Sequence, residues 1–99
     1  MKIYKYELHS HAESVELPKG AKVISVIAQN NKVVMYALVE TLALLTEPVP
    51  CEYKILPTGG TDLPAYTFEA MSFISTVDLY QDGSLILHIF VDKTFVVKP

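Results

Sequence analysis

The sequence predicts an all-β domain, a small antiparallel sandwich or partly open barrel of six to seven strands. Three observations carry this. Two segments rich in β-branched residues, Val23–Ala28 and Val33–Val39, flank Asn30-Asn31. A second pair, Phe73–Tyr80 and Leu85–Val91, flanks Asp82-Gly83. No segment repeats its apolar residues at helical spacing over the length a packed helix needs. Paired β-rich runs joined by turn residues are hairpins, and several short strands in one small chain close as a sandwich or barrel.

The elements follow in order. Ile3–His9 alternates at period two, with Tyr4, Tyr6 and Leu8 on one face and Lys5, Glu7 and His9 on the other. Ser10–Ser14 is polar and leads into Val15-Glu16-Leu17; Pro18-Lys19-Gly20 then breaks the chain. Asn30-Asn31 suits a type I′ turn, because asparagine tolerates positive φ. That turn predicts Ile27 opposite Val34, Ser25 opposite Tyr36 and Val23 opposite Leu38. Both faces of this hairpin are apolar, so both need cover.

Thr41–Pro50 contains Leu42, Leu44, Leu45 and Val49 between polar residues and prolines. Pro48 and Pro50 argue against a central strand here. The segment either tucks over the core or lies at a subunit contact. Cys51 is placed in a loop, Glu52–Leu56 in a short strand, and Pro57–Pro64 in a turn. Ala65–Met71 allows one short helical turn. Asp82-Gly83, read as a two-residue turn, sets Val77 opposite His88, Leu79 opposite Ile86 and Ser75 opposite Phe90. This puts His88 on the core face. Thr94–Pro99 is expected to add an edge strand.

Composition bounds the function. The 99 residues make one domain, 1–99. At 51% hydrophobic and 19% charged, the chain is too apolar for disorder. A formal charge of −3 argues against a nucleic-acid partner, which needs a basic face. No apolar run reaches the roughly 20 residues of a membrane helix, and no signal-peptide h-region follows Met1. The expected setting is therefore cytoplasmic, with no membrane partner. One cysteine excludes an internal disulfide. The apolar surplus predicts self-association as a homodimer or higher oligomer, through Leu42, Leu44, Leu45 and Val49.

Candidate chemistry is sparse. His9, His11 and His88 could together offer three nitrogens to zinc, but the spacing is common, and solvated or hydrogen-bonded histidines are expected. No metal or other cofactor is expected. Thr58, Gly59, Gly60 and Thr61 form a glycine-supported turn that could present N–H groups to a phosphate or a partner. Lys54 stands behind it and Tyr66 follows it. These six residues are the candidate ligand- or partner-binding set. The six tyrosines suit sheet faces and interface rims. No paired carboxylates or nucleophile–base run selects a catalytic centre, so no enzyme is expected.

Five short stretches carry a resemblance. They are Ile3-Tyr4-Lys5-Tyr6, Pro18-Lys19-Gly20-Ala21-Lys22, Tyr36-Ala37-Leu38-Val39, Thr58-Gly59 and Leu87-His88-Ile89-Phe90. In order and spacing the chain resembles a family of small, uncharacterised proteins of tailed phages and prophages. That family carries Trp-Ala-Leu-Val, a Gly-Thr-Gly-His loop and a closing Val-Phe-His-Val-Phe strand. Here Tyr36 stands for the Trp, Pro57 for the first loop Gly and Gly60 for the loop His, and Thr94–Pro99 runs past the usual end. The resemblance implies an all-β fold and a phage protein in the host bacterial cytoplasm. The expected function is non-catalytic, stoichiometric binding to a host protein or a small signalling molecule. The alternatives are a minor virion or assembly component and, behind it, a small hydrolase of a host nucleotide signal.

Overall fold

A computed structural model describes residues 1–60 and 62–97. Seven strands and three 3₁₀ turns follow in the order β1 (Lys2–Leu8), β2 (Ser14–Leu17), β3 (Lys22–Gln29), β4 (Lys32–Val39), η1 (Thr41–Leu45), β5 (Val49–Pro57), η2 (Ala65–Phe68), β6 (Met71–Asp78), β7 (Ile86–Asp92) and η3 (Lys93–Phe95). They form two antiparallel sheets, β1-β4-β3 and β2-β5-β7-β6. The expected all-β sandwich is what the chain adopts. Among the described residues, no helix is long and apolar enough to cross a membrane.

The core lies between the sheets. One side supplies Leu8, Val23, Val26, Val33, Met35, Ala37 and Val39; the other supplies Leu17, Cys51, Tyr53, Val77, Leu87, Ile89 and Val91. Each fully buried aliphatic side chain is worth about 1.5–3 kcal/mol over exposure. Phe95, on η3, joins this cluster. Tyr53 also fixes where β1 ends. Its hydroxyl accepts from the His9 N–H at 2.9 Å and donates to the His9 carbonyl at 2.8 Å.

The first hairpin has the expected turn, with Asn30 at φ 53° and Asn31 at φ 61°. Ile27 pairs with Val34 and Ser25 with Tyr36, as the turn dictates. Val23, however, pairs with Ala37 rather than Leu38, because the register shifts at Ile24. A bulge there lets Val23 and Val26, three apart, share the core face.

The second hairpin is offset from its expected register. Val77 pairs with Leu87, Thr76 with His88 and Asp78 with Ile86. Leu79 donates its N–H to the Leu85 carbonyl at 3.0 Å, so the loop is Tyr80–Ser84 and not Asp82-Gly83 alone. Positive φ falls on Gln81 and Gly83, whereas a two-residue type I′ turn would need it at Asp82. Asp78 instead accepts the Gly83 N–H at 2.9 Å, and Asp82 the Ser84 N–H at 2.9 Å. A one-residue slip reverses which face a side chain takes. His88 therefore lies on the outer face, not in the core.

Three further expectations change. Cys51 is in β5, fully buried, rather than in a loop. β5 starts at Val49 and contains Pro50, which is tolerated because Val49–Glu52 pairs with β2 alone. The tail forms η3 and a single bridge between Val96 and Val23 in place of an edge strand. Lys98 and Pro99 lie outside the described residues. The helical turn allowed at Ala65–Met71 is η2.

Two outcomes test this frame. Gly83→Val forces a β-branched residue to φ +78°; the melting temperature should fall by about 5–10 °C. An unchanged value would contradict the loop. Burial pushes the Cys51 thiol from 9.0 up to about 12, with Asp92 and Glu52 adding to the rise. The folded state thus holds the proton more tightly than the unfolded one. Its contribution is complete below pH 9 and is lost as pH climbs toward 12. Denaturant melts across that range should show the decline, and Cys51→Ala should remove part of it.

Candidate functional site

β7 is the centre of the second sheet, and its alternation decides what faces outward. Leu87, Ile89 and Val91 are buried. His88 and Phe90 consequently stand on the outer face, beside their β5 neighbours Leu56 and Lys54. On the other flank the partners are Thr76 and Phe73. These two are three residues apart and would take opposite faces in a regular strand. The register shift at Ile74 brings both to the outer face.

His88 is held at both ring nitrogens. The Thr58 hydroxyl lies 2.7 Å from Nε2 and the Thr76 hydroxyl 3.0 Å from Nδ1. With a neutral imidazole one threonine donates and the other accepts. Thr58 is brought there by a tight turn after β5. Gly60 donates its N–H to the Pro57 carbonyl at 3.1 Å, and Gly59 sits at φ +72°, which glycine allows without strain. A Cβ at Gly60 would lie 3.0 Å from the Pro57 ring.

Three phenyl rings share a cavity with this polar centre. Phe68 of η2 lies 4.9 Å from Phe90, centroid to centroid, with planes at 58°. Phe73 lies 5.6 Å from Phe90 at 66°. Phe73 is 54% exposed, far more than a core phenylalanine. Together with Leu56, the 57–60 turn and Asp62, these rings line an open basin of about 470 Å³.

The structure gathers only part of the predicted binding set. Thr58, Gly59 and Gly60 line the basin. Thr61 lies outside the described residues. Lys54 is on the same face, across the ladder from Phe90, but outside the lining. Tyr66 is 72% exposed on η2 and does not line it either. The phosphate-nest reading of the turn loses two donors, since the Thr58 N–H goes to the Ile86 carbonyl and the Gly60 N–H to Pro57. His9 and His11, with rings 5.4 Å apart, line a different cavity from His88. Among the described residues no three His, Cys, Asp or Glu side chains are grouped for a metal.

The other predicted set divides as well. Leu42 and Leu45 of η1 are 76% and 84% exposed, and Leu44 is also exposed. They do not cover the core. Val49 belongs to β5 and packs against the core cluster.

Sequence reasoning missed Leu56, Asp62, Phe68, Phe73, Thr76 and Phe90 as one group, and it assigned His88 to the core. These residues are far apart in the chain. They meet only through the β5-β7-β6 register and the Ile74 bulge, which no local motif announces.

No curated protein and no solved structure matches the chain. Residues 1–98 match the family described as Domain of unknown function (DUF7352), and the chain belongs to that family.

Proposed function

We propose that the protein is a non-catalytic binding module that docks a partner protein on the outer face of the β5-β7-β6 ladder. One observation carries this reading: a phenylalanine cluster, half-buried at Phe68 and Phe90 and exposed at Phe73, shares its basin with a histidine that is already fixed in place. Exposed aromatic groups on a rigid sheet are what interface centres use, because rings add contact area at little entropy cost. The basin is open rather than enclosed, which suits a protein surface better than a small molecule that must be mostly buried. In the phage setting that the resemblance implies, the partner is a host factor bound stoichiometrically in the bacterial cytoplasm.

The 2.7 Å contact between Thr58 and His88 favours one other reading, in which the imidazole activates the hydroxyl for acyl or phosphoryl transfer. Two features weigh against it. The second ring nitrogen meets a threonine hydroxyl, where a carboxylate would stabilise the imidazolium. Two N–H groups of the turn that could face an oxyanion are engaged internally.

The same reading includes self-association. Leu42, Leu44 and Leu45 form an exposed apolar knob that a second copy would cover. Leu44→Asp with Leu45→Asp should lower the mass seen by light scattering to that of a monomer and make the melting temperature independent of protein concentration. An unchanged mass would remove η1 from the contact.

Native mass spectrometry after incubation with host lysate tests the docking face. The wild type should carry one partner per chain, and Phe73→Asp none, at equal melting temperature. A complex that survives Phe73→Asp would dismiss this face. Turnover of a substrate that disappears in Thr58→Ala would establish the hydrolytic alternative instead.

A further inference from the structure

We propose that the basin's central guest is a cation on an apolar stem, an arginine or lysine side chain of the partner protein. This rests on the binding-module reading and adds the chemistry of what is bound. Asp62 is the only Asp, Glu, Lys or Arg among the described residues that line the basin. Phe68 and Phe73 are inclined to Phe90 at 58° and 66°, so neither lies flat on it. Each ring face carries negative quadrupolar potential that attracts an ammonium or guanidinium group. Leu56 and Pro57 supply apolar wall for the methylenes of such a side chain.

Several of the donors that an anion would use are engaged within the fold. The Thr58 and Gly60 N–H groups bond within the turn and the adjoining strand, and the hydroxyls of Thr58 and Thr76 engage His88. The chain's formal charge of −3 attracts cationic partners at longer range. Lys54 flanks Phe90 outside the lining. It repels a cation from that side, so the guest's charge is directed toward Asp62.

The test is an NMR titration of the isotopically labelled chain with three probes: N-acetyl-arginine amide, N-acetyl-norleucine amide and N-acetyl-glutamate amide. The arginine probe should move the His88, Gly59 and Phe73 resonances and bind about three- to fivefold tighter than norleucine. The glutamate probe should move none of them. Asp62→Asn, an exposed loop substitution, should bring arginine down to the norleucine value without changing the rest of the spectrum. Equal binding of arginine and norleucine would overturn the cation assignment and leave the docking face standing. Preferential binding of glutamate would overturn it in favour of Lys54 as the dominant charge. No shift with any probe would count against both this inference and the basin as a docking face.

Discussion

The strict in-and-out alternation of β7 is the constraint on which the rest of the structure depends. β7 is flanked on both edges, by β5 and β6, and Leu87, Ile89 and Val91 are all sealed inside. Three consecutive inward side chains leave no freedom for the residues between them. His88 and Phe90 must point out, and whatever pairs with them shares their face. Partners then adjust to β7. On β6 the adjustment is the bulge at Ile74, which keeps Ser75 and Val77 inward while Phe73 and Thr76 go out. β3 carries a matching irregularity at Ile24. These two strands are the neighbouring edges of the two sheets, joined where the Ser75 hydroxyl donates to the Val26 carbonyl at 2.7 Å. Bulges tighten the local twist. Their position on these two edges is where extra twist helps one sheet turn toward the other.

Local chemistry explains which parts of this were legible. Asn30-Asn31 could be read because both residues accept positive φ and the flanking strands are β-branched. β1 could be read because Tyr4, Tyr6 and Leu8 alternate cleanly with charged residues. The second hairpin misled because Asp-Gly is a strong two-residue signal, yet Asp78 and Asp82 use their carboxylates to organise a wider loop. Val23-Ile24-Ser25-Val26 and Phe73-Ile74-Ser75-Thr76 have no alternation that marks the extra residue. β2 is four residues with only Val15 and Leu17 apolar, too short to declare itself. Cys51 looked like loop because Pro48 and Pro50 precede it. A strand with one partner along that stretch tolerates what a central strand would not.

The candidate site was half legible for the same reason. Thr58, Gly59 and Gly60 announced a turn, and the turn is there. Nothing local said what it would lean on. Its partner, His88, is thirty positions away, and the offset of that strand by one residue separates a core histidine from a surface one. A register error in a hairpin therefore also misplaces the candidate site. The aromatic residues show this most clearly. Phe90 next to buried Ile89 and Val91 reads as core composition, and only strand parity reveals it as part of an outer cluster.

The two surfaces of the sandwich differ in what their exposed apolar groups can do. On the three-stranded sheet, Ile3, Ile24 and Ile27 are exposed and aliphatic, and the Tyr36 hydroxyl donates to Gln29 at 2.7 Å. They offer contact area but little direction. On the four-stranded sheet, the rings share a basin with an imidazole whose two nitrogens are both anchored. Fixed dipoles and fixed rings discriminate among partners because the cost of ordering them was met on folding. They also contribute little to the core. Phe73 is half out of the fold, and Asp62 lies on an exposed loop. Surface changes of this kind usually shift stability by no more than about 0.5 kcal/mol. On the proposed reading, stability and recognition are thus carried by different residues of the same strands. The inward set holds the sandwich together, and the outward set on β5, β6 and β7 is free to be selected for what it touches.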